Sequence, residues 1–249
     1  MRDSLLRVSK EGRRLLDSGG AGTHNCAVMR VLFAWSGGKD SAMALHEIRK
    51  DPDVEVDALL TTITRDYDRV SMHGVRRELL EKQAESIGLP LEIVFISSNS
   101  SNDDYEAAMR ETLEKYAMQG VTAVAFGDIF LEDLRKYRED KLAQVGMTGI
   151  FPIWKRDTCE LAREFISLGF KAIVSCADSQ TGTGAFAGRE FDDRLLAELP
   201  ESCDPCFENG ECHSFVYDGS IFREPIPVRT GEIVLRDDRF YFCDILPAG

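Results

Sequence analysis

The sequence predicts an α/β protein: a Rossmann-like parallel sheet of about five strands with helices on both faces, followed by a smaller C-terminal α+β subdomain. Three observations carry this. Short apolar runs rich in Val, Ile and Phe alternate with helix-length polar stretches from residue 30 to about 177, the cadence of repeated βα units. The runs are apolar on both faces, as strands buried in a parallel sheet are. After Ala177 the texture changes to Gly/Ser/Thr-rich loops and then to alternating residues punctuated by turn dipeptides, which reads as an antiparallel tail.

Taken in order, the strand candidates are Val31–Trp35, Val56–Ile63, Leu91–Ser97, Val121–Gly127, Thr148–Ile153 and Lys171–Ala177. Between them the spacing predicts helices over Lys39–Arg49, Gly74–Ile87, Asp103–Met118, Leu131–Gln144 and Thr158–Leu168. Gly88-Leu89-Pro90 and Gln119-Gly120 precede the third and fourth strands as breakers. Beyond the Asp178–Gly188 loop, Arg189–Leu199 reads as a short helix, Pro200–His213 as a loop and Ser214–Leu246 as antiparallel strands. The domains expected are a flexible N-terminal extension (1–28), an α/β domain (29–177) and the smaller C-terminal part (178–249). Residues 4–16 could form a short amphipathic helix, uncoupled from the body by Asp17-Ser18-Gly19-Gly20.

A formal net charge of −13 repels nucleic-acid backbones and anionic membranes, so bulk capture of RNA or DNA is disfavoured. Seven cysteines, odd in number and scattered along the chain, do not form a secreted disulfide framework. No apolar run approaches the length of a membrane span, and charges and glycines interrupt the N-terminus where a signal peptide needs an apolar centre. These features place the protein in the cytoplasm; a homodimer is compatible with them.

In a parallel α/β sheet, ligands bind beyond the carboxyl ends of the strands. Ser36–Ser41, Thr64–His73 and Gly127–Asp133 each follow a strand directly, so the architecture predicts one shared crevice. The first of these segments carries the strongest signal. In Ser36-Gly37-Gly38-Lys39-Asp40-Ser41 a strand ends and a helix begins within one turn. Gly37 and Gly38 let backbone N–H groups approach an anion, the helix N-terminus adds a favourable dipole, Ser36 and Ser41 offer hydroxyls and Lys39 a point charge. The spacing fits neither Walker A nor G-x-G-x-x-G. An aspartate in a phosphate loop suits a helix cap or a Mg²⁺ ligand, so Asp40 is the metal candidate. A plain βα turn with a capping Asp would use one or two of the six residues and leave the rest unexplained.

Two further stretches bear chemistry. Along Phe126–Asp140, Asp128, Glu132, Arg135 and Glu139 fall at steps of four, three and four, which a helix gathers on one face. The alternative is a solvated ladder of charges. Along Asp204–Gly219, Glu208 and Glu211 bracket the turn pair Asn209-Gly210, so both carboxylates are expected to project from one tight loop; a plain hairpin turn is the alternative.

The Ser36–Ser41 stretch is similar to the pyrophosphatase (PP) loop of the adenine nucleotide alpha-hydrolase-like enzymes, whose HUP-type cores cut ATP between the α and β phosphates. With the Gly127-Asp128-Ile129…Leu131-Glu132…Arg135 and Glu208-Asn209-Gly210-Glu211 stretches, and with Arg69–Val94 like the family's second βα unit, the chain resembles the diphthine–ammonia ligase family over roughly residues 29–246. The resemblance implies an ATP-dependent ligase that adenylates a carboxylate, releases pyrophosphate and lets ammonia displace AMP; in eukaryotic and archaeal members the acceptor is diphthine on a translation elongation factor, and for a bacterial relative, where no diphthine is expected, a different carboxylate is the alternative. It implies that Ser36, Gly37, Gly38, Lys39, Asp40 and Ser41 hold phosphates, with Mg²⁺, that His73, Gly127 and Asp128 lie at the nucleotide, and that Glu132, Arg135, Glu208, Asn209 and Glu211 orient the acceptor or ammonia. Two positions depart from the family loop: Phe207 stands where glycine is usual before the first Glu, and Cys212 where an aromatic follows the second.

Cys203-x-x-Cys206 with Cys212 and His213 raises a structural zinc site as an alternative, although adjacent Cys212 and His213 would need a sharp bend. Sulfur transfer to tRNA is a second alternative, and a nucleotide-binding regulator without turnover a third. Buried, inert thiols are the default for Cys26, Cys159, Cys176 and Cys243, and a partly buried filler for His46.

Overall fold

The structure is a computed structural model that describes residues 28–71 and 73–248. The extension read over residues 1–28, with its candidate helix and Cys26, lies outside them except for Val28.

In chain order the first part runs β1 (Met29–Ala34), α1 (Lys39–Ile48), β2 (Val54–Thr64), β3 (Arg69–Val70), α2 (Arg77–Ile87), β4 (Leu91–Ile96), α3 (Asn102–Ala117), β5 (Ala123–Ala125), α4 (Glu132–Ala143) and β6 (Thr148–Ile150). Five strands pair in parallel in the order β4–β2–β1–β5–β6, as the alternating pattern predicts. The two-residue β3 pairs antiparallel with the end of β2 and was not visible as a strand in the sequence.

Strand β1 is the spine. Val31, Leu32 and Phe33 are fully buried, and because alternate strand residues point to opposite faces, Val31 and Phe33 enter one core and Leu32 the other. The Leu32 face is covered by α3 and α4, through Leu113, Tyr116 and Leu142. The opposite face takes α1 and α2. On α2, Leu79, Leu80, Gln83, Ala84 and Ile87 are buried at helical spacing, and Gly88, with φ +78°, ends the helix in the left-handed conformation. This helix starts three residues later than expected, because Val75 returns a carbonyl to the Val70 N–H and closes a turn first. Ser101 and Asp104 form a capping box at the start of α3.

The chain continues with α5 (Thr158–Ser167), β7 (Lys171–Asp178), α6 (Asp193–Glu198), β8 (Cys212–Asp218), β9 (Val228–Arg236) and β10 (Phe240–Pro247). Here the structure corrects one expectation. The run Lys171–Ala177 does not extend the parallel sheet; β7 belongs to a second, antiparallel sheet of order β8–β7–β10–β9. Ala172–Asp178 are all buried, and a strand covered on both faces looks alike in sequence whichever way its neighbours run. The change from parallel to antiparallel architecture therefore falls ahead of residue 171 rather than at 177/178. The β9–β10 hairpin turns at Asp237 and Asp238, both left-handed (φ 52° and 50°), the geometry that matches strand twist.

Residues of both sheets join one core: Phe33 and Leu45 from the first part lie in the same buried cluster as Val174 and Phe215 from the second. The second sheet is thus clamped onto the α1–α2 side, at the carboxyl end of β1. Among the described residues no helix is long and apolar enough to cross a membrane.

Candidate active site

The anion turn is built from its buried side. Trp35 Nε1 donates to Gln83 Oε1 at 2.9 Å, and Gln83 Nε2 donates to the carbonyls of Gly37 (3.1 Å) and Val216 (2.6 Å). One fully buried amide thereby joins β1, α2, β8 and the turn. Gly37 has φ +79°, and a Cβ there would lie 2.8 Å from Gln83 Oε1, so only glycine fits. The Val216 N–H donates to the Gly37 carbonyl at 2.9 Å, and the Lys39 N–H donates to Ser214 Oγ at 3.1 Å. The second sheet thus fixes the turn. Ser36 Oγ accepts from the Gly38 N–H, and Ser41 Oγ donates to the Gly38 carbonyl. Gly38 gives α1 no side-chain cap, which suits a helix start whose dipole faces a ligand.

A cleft of about 630 Å³ opens at this turn. Ser36, Gly38, Lys39, Asp40 and Ser41 line one wall; His73, Gly127, Asp128, Glu208 and His213 line others. The shared crevice expected from the three post-strand segments exists. Gly127 permits it: a Cβ there would lie 2.9 Å from Asp40 C and Ser41 N, so the turn after β5 rests directly on the backbone of α1.

Lys39 does not reach into the cleft as a free charge. Its side chain is 4% exposed; Nζ donates to both carboxylate oxygens of Asp40 at 2.9 Å and to the Cys206 carbonyl, and lies 5.1 and 5.7 Å from the ring centroids of Phe207 and Phe191. Burial is the largest single influence and works to lower its pKa, but Asp40, Cys206 and Glu208 together outweigh it and the net shift is upward, so Lys39 is a cation held in place.

The 204–211 loop divides its carboxylates. Glu208 crosses to the other wall, where Oε1 accepts from the Ile129 N–H at 2.7 Å and the Phe130 N–H at 3.2 Å. Burial pushes its pKa up to about 7, against these two hydrogen bonds and with help from Asp40. Glu211, expected to project beside it, turns inward instead. It is 3% exposed and accepts from the Asp204 N–H (2.9 Å), the Asn209 N–H (3.1 Å) and Asn209 Nδ2 (3.2 Å). The reason is local: a tight loop turns backbone donors inward, and they need an acceptor. Asn209 therefore braces Glu211 and does not line the cleft. Phe207 adopts φ +62°, the conformation that explains why glycine suits this place; its ring is 4% exposed, against Phe191 and Lys39.

The expected one-sided row on α4 is also divided. Asp128 precedes the helix and lines the cleft. Glu132 pairs with Lys155 at 2.6 Å, and Arg135 pairs with Glu139 at 2.9 Å while stacking over Phe151 and Trp154; neither reaches the cleft. The residue that does is Arg138, which lines it, donates to Asp128 at 3.1 Å and stacks on Phe126 at 4.4 Å. Its signal was available: Arg138 is one helical turn past Arg135, on the face toward β5.

Among the described residues no three His, Cys, Asp or Glu side chains gather as a metal site, so the zinc alternative has no ligand set there. Cys203 donates to the Thr181 carbonyl and Cys206 to the Thr158 carbonyl. Burial pushes both thiols up, and Cys212 to about 12. Such protonated, enclosed sulfurs are poor carriers for sulfur transfer.

The SGGKDS turn at the end of the first strand of a Rossmann-like sheet puts the chain in the PP-loop class, related to the adenine nucleotide alpha hydrolases. Its family is narrower. Residues 29–149 match the Diphthamide synthase N-terminal domain and residues 157–246 the Diphthamide synthase C-terminal domain; the chain belongs to the diphthamide synthase family. Proteins named diphthine–ammonia ligase are similar along most of its length. That of Danio rerio is 26% identical over 242 residues, covering 84% of this chain and 90% of the relative. That of Rattus norvegicus is 27% identical, with 83% and 85% covered. That of Schizosaccharomyces pombe is 27% identical over 83% of this chain, which spans only 37% of that longer protein. Among solved structures, the U34-tRNA thiolase NcsA from Methanococcus maripaludis aligns with a TM-score of 0.37 at 17% identity, covering 57% of this chain and 58% of that one, a likeness too slight to argue from.

Proposed function

We propose that the protein is an ATP-dependent ligase that joins ammonia to a carboxylate through an acyl-adenylate, releasing AMP and pyrophosphate. Membership of the diphthamide synthase family supports this reading, and so does the name its relatives share. The observation that carries it is the presence of two features in one cleft: the anion turn Ser36–Ser41 and the buried carboxyl of Glu208.

ATP is a substrate here. Its β and γ phosphates lie against Ser36, Gly38, Ser41 and the first turn of α1. An oxygen of the acceptor carboxylate attacks the α-phosphorus, the bond to the bridging oxygen breaks, and pyrophosphate leaves. Ammonia then forms a bond to the acyl carbon as the bond to AMP breaks, and the surplus proton goes to Glu208, whose pKa of about 7 suits an acceptor at neutral pH. Closing the cleft against water protects the acyl-adenylate. Gly127 and Asp128 border the nucleotide, and Arg138 holds Asp128 in place. Glu211 and Asn209 keep the loop in the shape that delivers Glu208. Glu132 and Arg135, directed elsewhere, have no part in this scheme.

Asp40 is the residue that would hold Mg²⁺: it lies on the cleft wall beside the turn, its oxygens shared with Lys39 Nζ, and Mg²⁺ is ordinarily held by one or two carboxylates plus phosphate oxygens. Bound there, the ion would neutralise phosphate charge. The acceptor is the diphthine carboxylate of a translation elongation factor, and the compartment is the cytoplasm.

The test is incubation of the protein with ATP, Mg²⁺, ammonium and the diphthine-bearing acceptor. AMP and pyrophosphate should form together with the amide, and only when the acceptor is present. ADP and orthophosphate as products would overturn the reading; nucleotide binding without any turnover would mark a regulator instead.

A further inference from the structure

We propose that His73 and His213 form the subsite that takes ammonia, in its neutral form. The inference rests on the amide-forming reading above and adds to it where the nucleophile sits and which of its protonation states is accepted.

The two histidines come from distant parts of the chain. His73 lies between β3 and α2, and His213 is the second residue of β8. Their rings meet with centroids 4.4 Å apart and planes 37° apart, and both line the cleft. The His73 ring lies against the anion turn, since a Cβ on Gly38 would come 3.4 Å from its Cε1. Its Nδ1 is buried and has no hydrogen-bond partner among the described residues, and a buried polar atom without a partner calls for an explanation. The pair thus lines the same cleft as the anion turn and Glu208, and the inference puts the activated acyl carbon between them.

The rings are neutral. Burial holds His73 well below the usual imidazole range, with His213 and Lys39 acting in the same direction. Burial, with Lys39, pushes His213 down to about 4. The groups that act on the pair from the packed elements are therefore the His213 ring on His73, the Lys39 ammonium of α1 on both, and a hydrogen bond with the Ser214 backbone that works the other way on His73.

In neutral solution ammonia is mostly ammonium, which has no lone pair and cannot attack. A cage of carboxylates would bind that cation and keep it protonated. Two uncharged imidazoles add no negative charge to hold that cation, and each has an unprotonated ring nitrogen to accept from an N–H of ammonia. The lone pair is left to form the C–N bond. The C–O bond to AMP breaks, AMP leaves with that electron pair, and one N–H proton passes to Glu208 and then to solvent.

The experiment measures amide and AMP separately, with the diphthine-bearing acceptor, while total ammonium is varied at several pH values. For the unaltered protein, KM for total ammonium should fall about tenfold per pH unit between about pH 7.5 and 8.5, above the Glu208 pKa of about 7. His73→Asn and His213→Phe should each raise KM for ammonium by about tenfold, leave KM for ATP within about twofold, and lower the amide formed per AMP as the acyl-adenylate is lost to water. Unfolding midpoints identify a variant that fails to fold, and the pH series needs no variant. An ammonium KM independent of pH, or unchanged ammonium KM and amide-to-AMP ratio in both folded variants, would overturn the inference. Absence of AMP formation by the unaltered protein would overturn the ligase reading itself, a separate result.

Discussion

The Lys39 ammonium lies 5.1 Å from the centre of the Phe207 ring, and this contact joins the anion turn of the first sheet to the carboxylate loop of the second. Phe207 carries φ +62°, a conformation costing about 1 kcal/mol or more for a residue with a side chain. Its ring, buried against Lys39 and Phe191, offsets that cost. Because Glu208 is the next residue, the contact also decides where its carboxyl enters the cleft.

Lys39→Met leaves Asp40 and the Cys206 carbonyl without their shared donor. We expect a loss of about 3 kcal/mol in denaturant unfolding, and a fall in AMP formation that raising ATP does not restore. Lys39→Arg should not rescue either, because the enclosed space suits a compact ammonium.

Glu208 makes the pH dependence readable. Its folded pKa of about 7 exceeds that of an unfolded glutamate, so its protonated form favours the folded state. That contribution is fully present below the unfolded pKa and is lost as pH rises through about 7. Activity follows the opposite course, since the ionised form receives the proton. At saturating ammonium we expect a rising limb of amide formation with an apparent pKa near 7 that disappears in Glu208→Gln, while the stability of that variant no longer falls across the same range.

Glu211 has a different task. Glu211→Leu removes the acceptor for the Asp204 and Asn209 N–H groups and should cost about 2 kcal/mol in thermal or denaturant unfolding. Product should fall because Glu208 is displaced, with KM for ATP little changed.

Arg138 and Arg135 provide a paired comparison one helical turn apart. Arg138→Ala removes the partner of Asp128 and should lower kcat/KM for ATP by about tenfold. Arg135→Ala removes a surface ion pair and should stay within about twofold. Steady-state kinetics on both variants checks the assignment.

Much of this was legible in the sequence because it is written locally. The five parallel strands follow from runs apolar on both faces, and the Ser36–Ser41 turn from six residues at one strand end. Contacts between distant segments were not legible. Nothing near Lys39 announces Phe207 or Cys206, and nothing near His73 announces His213, since a second sheet brings them together. Glu208 and Glu211 look equivalent in the sequence; the backbone donors of one loop separate them. The same holds for β7, whose burial on two sides hides the direction of its neighbours. Arg138 could have been found by asking which helical face turns toward β5 rather than which charges share a spacing.

The most direct measurement of the central claim follows oxygen. With ¹⁸O in the acceptor carboxylate, attack on the α-phosphorus leaves one labelled oxygen in AMP once ammonia has displaced it. Label in AMP, with pyrophosphate unlabelled, is the result expected. Label in orthophosphate, with ADP as the partner product, would contradict the account.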